Sequence, residues 1–297
     1  MRYITEEEVR RHLPMPEALR LMRETFEALA AGEALNQPRR RLILPTGSVL
    51  HQMAGATARY FGTKYYAANL KHGVYFFFHL FDSETAKPLA LMEADFLGQI
   101  RTGAASGYAT DLLARPDASV LAVIGSGFQA KSQIDAIRCV RHIREIRVWS
   151  RNAANREAFA AETGAVNCAS AEEAVRGCDI LVTATFSKDP VVQSEWVSEG
   201  THINAMGSNQ AQRREIPADL LARASVIAVD SIEQARIEAG DLLLAWNEQD
   251  WQSPRLVELP HAARTSADQI TLFKSVGLGV EDVAVGGFIY ERAASSS

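Results

Sequence analysis

The chain has 297 residues, 47% of them hydrophobic and 23% charged, with a formal net charge of -5. That length fits one large or two ordinary domains of a soluble globular protein. The acidic balance argues against a nucleic-acid partner, and no apolar run approaches the roughly 18 residues that a membrane span needs.

The start, Met1-Arg-Tyr-Ile-Thr-Glu-Glu-Glu8, has no apolar h-region, so no signal peptide is expected. Thr5 reads as a helix N-cap with Glu8 at the capping-box position. Two short helices are expected over residues 5 to 31, broken near Leu13-Pro14. The second carries Ala18, Leu21, Met22, Phe26 and Leu29 at helical spacing.

Residues 36 to 92 change to strand character. Arg41–Pro45, Val49–Met53, Thr57–Tyr60, Gly62–Tyr66, Tyr75–Phe81 and Pro88–Leu91 form a ladder of short β runs separated by turn residues. The pattern predicts an antiparallel meander. Its aromatic run Tyr75-Phe-Phe-Phe78 suits either an ordinary core strand or a strand packed on both faces, against a partner subunit. Residues 93 to 114 return to helix, with an unusually small cluster Thr102-Gly-Ala-Ala-Ser-Gly107 that permits close approach of another helix or a ligand. Arg115-Pro-Asp-Ala118 reads as a linker.

From Ser119 strands and helices alternate. Strands are expected at Val120–Ile124, Glu145–Trp149, Val166-Asn167, Ile180–Ala184, His202–Ala205 and Ser225–Ala228. Helices are expected near 128–142, 152–162, 170–176, 190–197, 216–222 and 231–238. Such alternation gives a parallel sheet with helices on both faces. A last helix is expected from Val280 to Arg292, followed by a disordered tail, Ala293-Ala-Ser-Ser-Ser297.

The most informative local stretch is Leu121-Ala-Val-Ile-Gly-Ser-Gly-Phe-Gln-Ala130. A buried strand runs into Gly125-Ser-Gly127-Phe128-Gln129-Ala130, which fits G-x-G-x-x-A, and a helix follows. Gly125 allows the tight turn, Gly127 lets a pyrophosphate approach the backbone, and Ala130 lets the helix pack on the strand. The helix N-terminus offers its unpaired N–H groups to the anion. A dinucleotide site is therefore expected. Cys139, Cys168 and Cys178 are odd in number and lack metal-type spacing. Cys139 and Cys178 fall on elements expected to be buried or half-buried, so the three read as reduced core cysteines of a cytoplasmic protein. The seven histidines form no convincing ligand pair, and no metal site is expected.

Several separate stretches together resemble the ornithine cyclodeaminase/mu-crystallin family of dinucleotide-dependent proteins. They are Gln37-Pro-Arg-Arg40, Gly62-Thr-Lys64, Ile100-Arg-Thr-Gly-Ala-Ala105, Gly125–Ala130, Asp179-Ile180 with Thr183-Ala-Thr185, and His202-Ile-Asn-Ala-Met-Gly207. Arg214-Glu215, Val229-Asp-Ser231, Gly240-Asp-Leu242, Leu272–Gly277 and Val280-Glu-Asp282 continue the match in order. The resemblance implies an α/β protein in which a Rossmann doubly wound parallel sheet is inserted into an α+β antiparallel-sheet domain. Residues 1–115, completed by the C-terminal helix 276–297, would bind substrate and dimerise, and residues 116–275 would bind NAD(P). Family dimers pair their meanders, which implies a homodimer.

The resemblance further implies that Arg40, Lys64 and Arg101 hold an amino- or imino-acid carboxylate, with Met53 either a pocket wall or core. An arginine fork binds a carboxylate through two charge-assisted bonds. A buried lysine of lowered pKa can donate a proton. Thr183, Ala184 and Met206 would contact the cofactor. At the end of the second Rossmann strand, where an NAD site usually carries Asp or Glu, this chain has Trp149-Ser150-Arg151-Asn152. Ser150 and Arg151 suit a 2′-phosphate, with Asn152 and Arg156 as further contacts, so NADP(H) is favoured over NAD(H). Asp230 is read as a helix N-cap or a contact on the nicotinamide side.

The family's cyclodeaminases carry an acid/base aspartate where this chain has Asn209. Asn cannot shuttle a proton. The expected activity is therefore NAD(P)H-dependent reduction of a small cyclic imino acid, such as Δ1-pyrroline-2-carboxylate or Δ1-piperideine-2-carboxylate. Ornithine cyclodeaminase, alanine dehydrogenase and a non-catalytic dinucleotide-dependent binding protein are the alternatives.

Overall fold

The computed structural model describes residues 1–69 and 71–295. It divides into two compact units, Met1–Ala104 with Gly277–Ser297, and Ala105–Val276. The expected tail straddles the end of the described region: Ala293 to Ser295 extend the last helix, and Ser296 and Ser297 lie outside the described residues.

The first unit opens with strand β1 (Arg2–Ile4) and two helices, α1 (Glu6–His12) and α2 (Met15–Ala30). Thr5 and Glu8 form the capping box, with the Thr5 N–H donating to Glu8 Oε2 at 3.0 Å. Pro14, in an extended conformation, separates the helices. Strands β2 (Leu35–Ile43), β3 (Val49–Ala56), β4 (Tyr60–Asn69), β5 (Gly73–Asp82) and β6 (Pro88–Glu93) follow. The sheet order is β1-β6-β5-β4-β3-β2, antiparallel except that β1 pairs parallel to β6. Three residues are too few to show a period, which is why β1 leaves no sequence signal. In the expected strand Thr57–Tyr60, only Tyr60 is strand, the first residue of β4; residues 57–59 are the turn between β3 and β4, closed by the Thr57 N–H on Tyr60 O at 2.8 Å. Along the aromatic run, Tyr75 is exposed and Phe78 is wholly buried.

Helix α3 (Asp95–Leu113) leads out of this unit, and the last helix of the chain, Gly279–Ser295, returns to it. That last helix lies close on the sheet because both surfaces are small at the crossing. A Cβ on Gly55 would sit 2.4 Å from Val280 N, and one on Gly286 would sit 2.3 Å from the Phe78 ring. The first turn of the helix is thereby brought over β3 and β4.

The second unit begins with the later turns of α3, earlier than the expected linker. These turns are bonded inside the unit: Asn204 Nδ2 donates to Thr110 Oγ1 at 2.9 Å, and Arg141 donates to the carbonyls of Thr110, Asp111 and Ala114. Its strands and helices are β7 (Val120–Ile124), α4 (Phe128–Val140), β8 (Glu145–Trp149), α5 (Ala153–Thr163), β9 (Val166–Asn167), α6 (Ala171–Val175), β10 (Ile180–Thr183) and β11 (His202–Ala205). Then come α7 (Ala218–Arg223), β12 (Val226–Val229), α8 (Ile232–Glu238), α9 (Gly240–Leu243), β13 (Leu256–Glu258) and β14 (Thr271–Lys274); the chain closes with α10, the Gly279–Ser295 helix. All the strand pairs are parallel, in the order β13-β12-β14-β11-β10-β7-β8-β9. The winding direction reverses between β7 and β10. A doubly wound sheet opens its ligand crevice there, beyond the carboxyl ends of the strands.

The helix expected at 190–197 is reduced to a single 3₁₀ turn at Ser194–Trp196. Pro190 lacks an amide hydrogen, and the Val191 N–H is spent on Glu215 O at 2.9 Å. Cys168 and Cys178 are buried, whereas Cys139 is exposed on α4.

Candidate active site

In the first unit, Lys64 on β4 and Arg101 on α3 meet the opening turn of α10. Lys64 Nζ donates to Asp282 Oδ1 at 2.7 Å. Arg101 Nε donates to the same oxygen at 3.0 Å, and Arg101 Nη1 donates to Glu281 Oε2 at 2.8 Å. Lys64 is 2% exposed, Arg101 5%, and both carboxylates 0%. Glu281 also accepts the Leu278 N–H through Oε1 at 2.9 Å, so an acidic pair sits where the helix dipole favours it. The turn into α10 is built against the guanidinium. Gly277 has φ +78°, and a Cβ there would lie 2.7 Å from Arg101 Nη1. Burial, with Arg101 close by, lowers the Lys64 pKa to about 8 against the opposing pull of Asp282. A buried ion cluster is a poor source of net stability, because desolvation offsets its Coulomb energy.

The third cation of this group is Arg39, a correction to Arg40. Arg39 is buried, donates to Gly277 O at 3.4 Å and lies close enough to Lys64 to lower its pKa, whereas Arg40 is exposed. The cause is a break in the β2–β3 register between Gln37 and Arg40, which shifts the alternation of inward residues by one. Met53 pairs with Lys64 across the sheet and is buried. His51, stacked on Tyr66 at 4.1 Å, is held neutral. Burial and the neighbouring Arg41 and Arg39 lower its pKa to about 4.

Glu281 and Asp282 belong to the stretches that carried the family resemblance, yet nothing local marked them as site residues. Acidic residues at the start of a helix ordinarily serve its dipole. Their complete burial was the missing signal.

In the second unit a cleft of about 1190 Å³ opens at the reversal of winding, lined by Gly125, Ser126, Gly127, Ser150, Arg151 and Asn152 among others. Gly125 has φ +121°, and a Cβ there would lie 2.4 Å from Ala184 O. A Cβ on Gly127 would meet nothing within 4 Å, so the backbone faces open space at the start of α4. No side chain caps that helix. The residues fit a dinucleotide pyrophosphate. In the first turn of α4 Ala130 is buried, Phe128 exposed and Gln129 half-buried.

Ser150 Oγ lies 2.8 Å from Ser126 Oγ. Arg151 is exposed. Asn152 caps α5, accepting the Asn155 N–H at 2.9 Å, and Arg156 donates to Ser150 O at 2.7 Å. Among the described residues that line this cleft the one carboxylate, Glu172, is engaged by Arg176 at 2.6 Å.

Ala184 lines the cleft, but Thr183 does not. Thr183 is fully buried and its hydroxyl donates to Glu215 Oε2 at 2.9 Å, a correction to its expected cofactor contact. Glu215 also accepts the Thr185 N–H and hydroxyl, both at 2.6 Å, and the Gly207 N–H at 2.8 Å. This carboxylate ties together the ends of β10 and β11. Behind it Asp241 accepts the Glu215 and Ile216 N–H groups, and Lys274 Nζ lies 3.0 Å from Asp241 Oδ2. Burial and Asp241 raise the Glu215 pKa. Met206 is half-buried against the hydrophobic layer that contains Val123 and Val182. Asn209 is half-buried, two positions beyond Gly207. Ser231, rather than Asp230, caps α8; Asp230 accepts the Val276 N–H at 2.7 Å where the chain leaves β14.

A model described as the ornithine cyclodeaminase/mu-crystallin family matches residues 2–297. An alanine dehydrogenase from Archaeoglobus fulgidus is 36% identical over 315 residues, covering 99% of this chain and 95% of that protein. A Δ1-pyrroline-2-carboxylate reductase from Bacillus cereus is 39% identical over 227 residues, 72% of this chain and 70% of that protein. A solved Δ1-pyrroline-2-carboxylate reductase from Thermococcus litoralis, in complex with NADH and L-proline, superposes with a TM-score of 0.89. It is 29% identical, with 100% of this chain and 98% of that one covered.

Proposed function

The chain belongs to the ornithine cyclodeaminase/mu-crystallin family and is a nicotinamide-dependent oxidoreductase, and we propose that it is an NADPH-dependent reductase of a small cyclic imino acid of the Δ1-pyrroline-2-carboxylate or Δ1-piperideine-2-carboxylate type. The observation that carries this reading is Asn209, which cannot serve as the acid/base that deamination requires. Reduction of a preformed imine asks less of the protein. It needs a carboxylate anchor, one proton for nitrogen, and the hydride that NADPH supplies when bound.

Lys64, Arg101 and Arg39 form the anchor. Arg39 and Arg101 are guanidinium groups beside Lys64, donors of the kind that suit a carboxylate. Lys64, with a pKa of about 8, orients the imine and keeps a proton available near neutral pH. Gly125 and Gly127 would hold the cofactor's pyrophosphate, and Ser150 and Arg151 would receive a 2′-phosphate; NADP(H) over NAD(H) rests on the missing acidic residue after β8. A homodimer is supported by the apolar residues left on the meander: Leu42 is 62%, Ile43 70% and Tyr75 64% exposed. A cytoplasmic location agrees with three unpaired cysteines.

The test follows NADPH absorbance with each cyclic imine. Turnover of the imine, and none of ornithine, is the expected result. Turnover of pyruvate plus ammonia without the cyclic imines would replace the reading by alanine dehydrogenase, the activity named for the Archaeoglobus relative. Ammonia release from ornithine with no net cofactor change would replace it by the cyclodeaminase.

A further inference from the structure

The two carboxylates at the start of α10 are used differently. Glu281 spends both oxygens, Oε2 on Arg101 and Oε1 on the Leu278 N–H. Asp282 spends one: Oδ1 takes both Lys64 and Arg101, while Oδ2 is buried and accepts no hydrogen bond. The residue is 0% exposed. A carboxylate oxygen left bare in the interior is costly and is relieved by any donor that reaches it. An α-imino acid carries its nitrogen and its carboxylate on the same carbon. A site whose cations grip the carboxylate therefore meets the N–H close beside them.

We propose that Asp282 is the binding group for the substrate's protonated nitrogen, with Oδ1 holding Lys64 and Arg101 in place and Oδ2 accepting the N–H of an iminium or ammonium group. The proposal rests on the Lys64–Arg101 cluster being the carboxylate site. It assigns the site a zwitterionic ligand, anionic at one end and an N–H donor next to it, and it separates the roles of two adjacent acidic residues.

The test compares two planar carboxylates of matched shape, pyrrole-2-carboxylate, which has a ring N–H, and furan-2-carboxylate, which has a ring oxygen. Binding to the full chain is measured calorimetrically with NADPH present, so no turnover is needed. The wild type is expected to prefer the pyrrole by about tenfold or more, the effect of a hydrogen bond to a charged acceptor. Asp282→Asn should reduce the preference to within about twofold, and Glu281→Gln should keep it. Equal binding of both compounds to the wild type overturns the assignment, as does a preference that survives Asp282→Asn. The wild-type ratio decides by itself should that variant not fold. Failure of both compounds to bind would refute the carboxylate site as well, which distinguishes the two ideas.

Discussion

Lys64 and Asp282 are separated by 218 positions in the chain and by 2.7 Å in space. The same aspartate oxygen also receives Arg101, so the strand β4, the helix α3 and the helix α10 converge on one atom. On the proposed function the cations would be held before any substrate arrives, which would spare the reaction the cost of ordering two long side chains.

The pH dependence should report Lys64. Its pKa is lowered to about 8, so the side chain is charged below that pH and neutral above it. If the protonated form is the active one, kcat/KM falls as pH rises through about 8. Lys64→Arg, charged throughout, should remove that limb, which distinguishes it from titration of the imine itself. Lys64→Ala should lower kcat/KM by about 10²–10⁴-fold. A limb unchanged in Lys64→Arg would reassign the titration to another group.

Arg39 and Arg40 provide an internal contrast. Arg39→Ala removes a buried cation beside Lys64 and should raise KM for the imine about 10–100-fold. Arg40→Ala changes an exposed side chain and should stay within about twofold of wild type. Steady-state kinetics of the two variants side by side decides between the two arginines, and the reverse order would restore Arg40.

Cofactor choice should respond to Ser150. Ser150→Asp places a carboxylate where a 2′-phosphate is expected, and the NADPH to NADH ratio of kcat/KM should fall by about tenfold, the equivalent of about 1.4 kcal/mol. No change in the ratio would mean that the ribose lies elsewhere.

Glu215 should matter to the second unit as a whole. Glu215→Ala leaves the Thr183 and Thr185 hydroxyls and the Thr185 and Gly207 N–H groups without their acceptor. A loss of about 1–3 kcal/mol or more is expected in denaturant unfolding, the cost of buried donors left without an acceptor. Weaker NADPH binding should accompany it, because Thr185 lines the cleft.

Much of this protein is written locally. Pro14 breaks a helix wherever the chain goes, because it lacks an N–H and fixes φ. The alternation after Ser119 yields a parallel sheet because each short apolar run must be covered on both faces. Gly125 and Gly127 mark a phosphate turn by what they lack, and Ser150-Arg151 follows at the strand end where the ribose is read.

The site was legible only in part. Lys64 and Arg101 were visible as cations among apolar or small residues, but their partners were not. Glu281 and Asp282 look like dipole-favouring residues until the fold buries them against β4 and α3. Arg39 replaced Arg40 because a strand's inward face depends on the register of its neighbour, and a bulge that breaks that register leaves little trace in residue type. Thr183 looked like a cofactor contact until Glu215, from a later loop, claimed its hydroxyl. Secondary structure follows from neighbours along the chain. Which charge meets which is settled by the closing of long loops, and only the tertiary fold brings those groups within bonding distance.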